Sequence, residues 1–324
     1  MQSKTITDTS TTLSKFSFDW RKYIVYIAFV IIFIAFSITL QNDGFLTTNN
    51  LLNIVRQTAM ISIMAVGMTF VISTGEIDLS VGSVTALASL TSALAIQSLG
   101  IMPGILVGLG TGALVGFVNG LLVTKLLIPS FLVTLGMMEI ARGVAMWITH
   151  TAPVPILNDS FIFMFGSGSV LGIPVLFIWT ALFAIGGHIV LKKARFGRKT
   201  LASGGNESAA RFSGINTKRV KLIVLTISGT LAGFAGMLYA GRLQAGRFTF
   251  GEGDELSVIA AVILGGTSLF GGVGTVIGTV AGALLIGTIN NGLIILGLDV
   301  SQQMVVKGLI IILAVAFGKK TLSK

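Results

Sequence analysis

The sequence predicts an all-α, polytopic membrane protein of about ten transmembrane helices, and three observations predict it. Hydrophobic residues make up 53% and charged residues 10% of the 324, against roughly 25% charged in soluble domains. The apolar residues fall in runs separated by polar links, and most runs come near the roughly 20 residues that a helix needs to cross a bilayer. One link, residues 192–221, carries nine of the 22 Lys and Arg and a single acid, Glu207. A short loop this basic belongs on the cytoplasmic side, and placing it fixes the side of every other loop by counting spans.

The elements follow in order. Residues 1–22 are polar and basic with no small-residue cleavage site before the first apolar run, so 23–40 reads as a retained anchor crossing outward. Runs at 51–73, 79–99, 101–124, 130–148 and 170–191 then alternate inward and outward, giving a first membrane half of six spans over 23–191. Pro129 stands at a helix start, where a missing N–H costs nothing. After the basic loop come 222–241, a short 256–270, 275–296 and 303–317, a second half of four spans over 222–318. The tails 1–22 and 319–324 both fall in the cytoplasm, and that side collects seventeen of the 22 basic residues. Segments 153–160 and 243–252 face outward.

Glycines add a packing pattern and a repeat. Gly104, Gly108, Gly112, Gly116 and Gly120 recur every four residues, as do Gly274, Gly278 and Gly282 at an offset of 170. Small residues at this spacing let helices approach closely in lipid. GALVGFVNGLLV (112–123) resembles GALLIGTINNGLII (282–295), and DLSV (78–81) resembles ELSV (255–258). By the span count the two copies run in opposite directions, an inverted repeat of the kind that brackets a substrate path.

Polar residues within such a chain are the candidates for function. Glu76 and Asp78 lie between two apolar runs, bracketed by Gly75 and Gly82. They fit two positions: the cytoplasmic surface, with Asp78 capping the next helix, or a break inside the membrane facing a water-filled path. Glu139 and Arg142, at i and i+3, can pair on one helix face. Asn119, Asn290 and Asn291 stand at equivalent places in the repeat and suit interhelical hydrogen bonds or a path for a hydroxyl-rich substrate. Six outer acids (Asp43, Asp159, Glu252, Asp254, Glu255, Asp299) leave Arg242 and Arg247 as the two outer cations, candidates for docking a soluble binding protein.

The middle of the basic loop predicts a two-turn helix. Asn206 can cap it, Glu207 suits its positive end, and Gly214 can supply a left-handed stop. Ala209 and Ala210 offer a small face to a docking partner. The stretch GGNESAARFSGIN resembles the cytoplasmic coupling segment of permease subunits of bacterial ATP-binding cassette (ABC) importers, most closely those of the ribose, galactose and xylose type. TGEIDLSVGS (74–83) and AAVILGGTSLFGGVGTVIGT (260–279) resemble the same family, and the likeness covers roughly residues 50–317.

The resemblance implies an ABC importer permease architecture in a bacterial inner membrane. It implies contact with an ABC ATPase subunit through Asn206, Glu207, Ala209, Ala210, Arg211 and Gly214, and a second permease copy, identical or paralogous. It also implies an extracytoplasmic sugar-binding protein that delivers a monosaccharide. The chain itself carries no phosphate-binding loop: its Gly318-Lys319 lacks the preceding glycine spacing. ATP and Mg would therefore be used by the separate ATPase, with no enzyme activity and no cofactor here. The net charge of +10 reads as topology rather than nucleic-acid binding, and the absence of Cys with only two His predicts no metal site. Two other readings share these features: an ion-coupled secondary transporter, and an ABC permease for nucleosides or branched-chain amino acids.

Overall fold

The computed structural model describes residues 24–319. The expected cytoplasmic tail 1–22 and residues 320–324 lie outside the described residues. Ten apolar helices carry the fold: α1 (Ile24–Thr39), α2 (Thr48–Ser73), α3 (Val81–Leu99), α4 (Ile101–Lys125), α5 (Ser130–Thr149), α7 (Val175–Lys192), α10 (Thr217–Leu243), α11 (Asp254–Leu264), α12 (Val276–Ile295) and α13 (Val300–Lys319). Seven are long and apolar enough to cross a membrane, α1 and α13 are shorter by that measure, and α11 is a half-length piece. Three short helices sit in the links: α6 (Asp159–Ile162), α8 (Arg195–Gly205) and α9 (Glu207–Phe212). Among the described residues, strands are limited to two antiparallel pairings of two residues each. One joins β1 (Val154–Pro155) to β4 (Ala245–Gly246), and the other joins β2 (Ser169–Val170) to β3 (Ile173–Pro174).

The repeat extends further than the glycine ladders. Helices α2 to α5 recur as α10 to α13, and the packing recurs with them: α4 lies on α10 as α12 lies on α2, α3 on α4 as α11 on α12, and α5 on α3 as α13 on α11. The copies are inverted. Glu76, just past the end of α2, meets Lys221 near the start of α10, so these two helices run antiparallel. Most of α2, α3, α10 and α12 is enclosed, while α4, α5 and α7 turn most of their surface outward. Because lipid tails are as apolar as leucine, contact between such helices rests on close packing and hydrogen bonds. At the α4–α10 crossing, a Cβ on Gly112 would overlap the Gly229 carbonyl, and one on Gly116 would overlap that of Leu225. The second ladder meets other partners: Gly278 lies against Gly265, and Gly282 against Ala261 of α11. Polar bonds join the copies directly. Thr69 and Thr279 hydroxyls lie 2.9 Å apart, and Asn50 and Asn291 exchange amide hydrogen bonds at 3.0 and 2.8 Å.

Three features differ from the sequence expectation. The short 256–270 span is helical only as far as Leu264, the end of the 11-residue α11; from Gly265 to Thr275 the chain is a glycine-rich loop. Its backbone finds partners within the protein: Thr267 N–H donates to Val262 O, Gly272 N–H to Ser73 O, and Thr275 N–H to Thr267 Oγ1. The span expected from residue 170 starts at Val175, behind the β2–β3 hairpin. The basic loop holds an additional helix, α8. Its inward face is Gly197, Thr200 and Ser203, and Gly204 packs against Ser73 and Gly272.

Candidate coupling and translocation sites

The two-turn helix is present as α9. Asn206 Oδ1 accepts from Ala209 N–H at 2.9 Å, and Gly214 is left-handed at φ +82. The predicted small docking face is corrected in one respect. Ala210 is buried against the protein's own body, so Ala209 and the 93% exposed Phe212 face outward instead. Phe212 was missed because a single aromatic in a polar loop leaves no periodic trace.

Glu207 does more than favour a helix end. Its Oε1 accepts from Thr217 Oγ1 at 3.0 Å and pairs with Arg211, and its Oε2 lies 2.9 Å from Lys221 Nζ. Burial pushes its pKa up, but the hydrogen bond and charge of Lys221, with the bonds from Arg211 and Thr217, outweigh that and hold it at about 2. The same Lys221 Nζ lies 2.7 Å from Glu76 Oε1. Glu76, Glu207, Arg211, Lys218 and Lys221 share a cleft of about 220 Å³ with the 127–129 turn.

Asp78 accepts from the Ser80 N–H at the start of α3, as the capping reading expects, but not at a surface. It is fully buried. Its Oδ1 accepts from Ser80 N–H and Ser80 Oγ at 3.0 and 2.6 Å, and its Oδ2 accepts from Ser228 Oγ of α10 at 2.8 Å. Asn119 joins this knot, donating from Nδ2 to Ser80 Oγ at 3.0 Å. Asn291 is spent on Asn50, and Asn290 is half-buried beside Lys307 in a small crevice. Gly82, which with Gly75 brackets Glu76 and Asp78 in the sequence, lies in the first turn of α3. Its lack of a side chain admits the Gly251 backbone.

That contact reveals a second site. The segment after α10 was expected to lie wholly outside, with its acids on the outer face. Instead it folds back along α3: Gly246 lies against Ser89 and Leu90, and Gly251 against Gly82, about 10 Å nearer the start of α3. Arg142 holds it there, donating to the carbonyls of Phe248 and Phe250, the latter at 2.8 Å. The expected Glu139–Arg142 ion pair is therefore absent, because the guanidinium is engaged by these carbonyls. Glu139 is left exposed, and with Arg142, Phe248, Glu252, Glu255 and Ser83 it lines an open cavity of about 300 Å³. Asp254 is withdrawn from the surface by Tyr239, whose hydroxyl donates to Oδ2 at 2.6 Å. Arg242 is half-buried in the last turn of α10, while Arg247 is exposed beside the paired β1 and β4. Among the described residues no cluster of His, Cys, Asp and Glu could hold a metal ion.

Residues 50–315 match the family described as "Branched-chain amino acid transport system / permease component". The chain belongs to this permease family. It is 43% identical over 285 residues to the ribose import permease protein RbsC of Bacillus subtilis (strain 168), covering 87% of this chain and 88% of the relative. It is 44% identical over 298 residues to RbsC of Escherichia coli (strain K12), covering 90% and 92%. The L-arabinose transport system permease protein AraH of Escherichia coli (strain K12) is 38% identical over 311 residues, covering 94% and 93%. No solved structure matches. With the apolar helices, these similarities establish a multi-pass, all-helical membrane permease of the sugar ABC importer kind, as the coupling and TGEID motifs led us to expect.

Proposed function

We propose that this chain is the membrane permease of an ATP-driven importer and moves a monosaccharide, ribose foremost, handed to it by an extracytoplasmic binding protein. The observation that carries the reading is α9. It is a capped two-turn helix that shows Ala209 and Phe212 outward and is tied at its base to the membrane bundle through Lys221. A separate ABC ATPase would seat on that face and supply the hydrolysis, with ATP and Mg bound there. Two permease copies would bring their α5 faces together, so that the cavities holding Glu139, Arg142 and Glu252 form a polar passage. Carboxylates beside the exposed edge of Phe248 suit a ligand with hydroxyls on one side and C–H groups on the other. Arg247, with Arg242 behind it, would meet carboxylates of the binding protein. Both termini and α9 would be cytoplasmic, on the strength of the nine basic residues of 192–221.

Glu139 and Glu255 on an open cavity also suit ion coupling, and the family description names branched-chain amino acids. One reconstitution separates these readings. Proteoliposomes containing the permease, its ATPase and its binding protein should take up radiolabelled ribose only with internal or external ATP at the ATPase face, and should not take up leucine. Uptake driven by a sodium or proton gradient without ATP would overturn the proposal.

A further inference from the structure

We infer that Lys221 is the positioning residue that passes movement of α9 to the cavity-lining helix α5. The inference rests on the reading of α9 as the ATPase contact. Its basis is that a single ammonium serves carboxylates on two different segments: Glu207 on α9 and Glu76 on the α2–α3 loop, at 2.9 and 2.7 Å. The Lys221 and Glu76 side chains are 15% and 13% exposed, so solvent screens this contact less than it would a surface pair. Displacing α9 relative to the α2–α3 loop must lengthen one of the two bonds. The adjoining cleft of about 220 Å³ leaves room for such a displacement.

From Glu76 the polar contacts continue to α5. Ile77 N–H donates to Ser130 Oγ at 3.1 Å, and Leu79 N–H to Thr134 Oγ1 at 3.0 Å. Thr134 Oγ1 also donates to Ile77 O at 3.2 Å. Ser130 and Thr134 stand one turn apart at the start of α5, below Glu139 and Arg142 on the same helix. Arg142 in turn holds the segment that walls the cavity. The loop is thus tied to α9 through Lys221 and to α5 through Ser130 and Thr134, and among the described residues Lys221 is the side chain bonded to both α9 and the loop. Spatial continuity alone does not establish coupling, so the test must read coupling itself.

The experiment uses the complete reconstituted transporter with Lys221→Met, Lys221→Arg, Glu76→Gln and the double variant Lys221→Met/Glu76→Gln. Radiolabelled ribose uptake and ATP hydrolysis are measured together, with and without loaded binding protein. Lys221→Met should still co-purify with the ATPase and keep basal hydrolysis, while ribose moved per ATP falls by about tenfold, within the usual range of allosteric coupling. Lys221→Arg should restore most of the ratio, and the double variant should be no worse than the worse single one. An assembled Lys221→Met with an unchanged ratio overturns the inference. If Lys221→Met fails to assemble, Glu76→Gln decides, because it leaves the Lys221–Glu207 pair in place: a normal ratio there overturns it too. Absence of ATP-dependent uptake in the unsubstituted protein would instead remove the function proposed above.

Discussion

Asp78 Oδ2 accepts a hydrogen bond from Ser228 Oγ at 2.8 Å, tying the loop between α2 and α3 to the middle of α10. With Ser80 on its other oxygen and Asn119 of α4 behind Ser80, this knot joins three segments: the α2–α3 loop, α4 and α10. A buried acceptor with several donors is missed heavily when removed, since each donor left unpaired costs about 1–3 kcal/mol. Asp78→Ala should therefore lower the thermal stability of the detergent-solubilised permease more than Asp78→Asn, which keeps one acceptor oxygen. Equal melting temperatures for the two variants would show that the knot does not hold the loop.

Topology gives a second prediction. Ser208 is exposed on α9, and Leu157, 86% exposed, lies next to β1 at the opposite end of the bundle. The sequence contains no cysteine, so each site can be tagged alone. An impermeant thiol reagent applied to intact cells should label Leu157→Cys and should label Ser208→Cys only after lysis. The reverse pattern would invert the whole orientation.

The glycine crossing gives a third. Gly112 and Gly229 have no room for a side chain, and added volume in a packed site costs about 1–3 kcal/mol. Gly112→Leu should reduce the yield of folded, monodisperse permease, while Gly110→Leu, two residues away on the same helix and in open space, should not. Similar yields for the two would mean that α4 and α10 are not pressed together here.

Much of this architecture was legible because long apolar runs and a concentrated basic loop are strong signals. Asn206 and Gly214 likewise announced α9 through capping chemistry that needs only local sequence. Helix α8 was not legible, because its fully buried residues are Gly197, Thr200 and Ser203, and small and hydroxyl residues in a basic stretch read as a loop. The fold-back of the segment after α10 was hidden for a related reason. It depends on Gly251 meeting Gly82 and on Arg142 meeting carbonyls more than a hundred residues away, contacts that no window of sequence contains. Glu252 and Glu255 were read as surface acids for want of that information.

The pKa of Glu207 yields a pH prediction with a definite sign. It is held at about 2, below the ordinary 4.5, so its contribution to anchoring α9 is complete above about pH 4.5 and is lost as the pH falls towards 2. Amide-exchange protection of α9 should therefore be flat from pH 8 to about 5 after correction for intrinsic rates, and should exceed that of Glu207→Gln throughout this range. The gap should close only on further acidification. A gap that closes near neutrality would mean that another group sets the anchoring.

The outward face of α9 supports the last prediction. Phe212 is a large apolar side chain, 93% exposed, on a helix that Glu207 ties to α10 through Lys221. Such a side chain is a natural anchor for a partner, and anchors of this kind carry much of an interface's binding energy when truncated, about 2 kcal/mol or more. Phe212→Ala removes it without touching the Asn206 cap or Glu207. The variant should fold and insert normally yet lose ATPase subunit on co-purification, with ATP-driven uptake falling in step. Gly214→Pro acts differently. Proline fixes φ near −65°, whereas Gly214 sits at φ +82 and donates its N–H to Arg211 O at 2.9 Å. It should misdirect the chain between α9 and α10, weakening ATPase co-purification through geometry rather than contact. Ala210→Trp should resemble Gly214→Pro, because Ala210 faces inward and a larger side chain would unseat α9. If Phe212→Ala retains the ATPase fully and transports normally, the outward face of α9 is not the coupling surface, even if the other two variants fail.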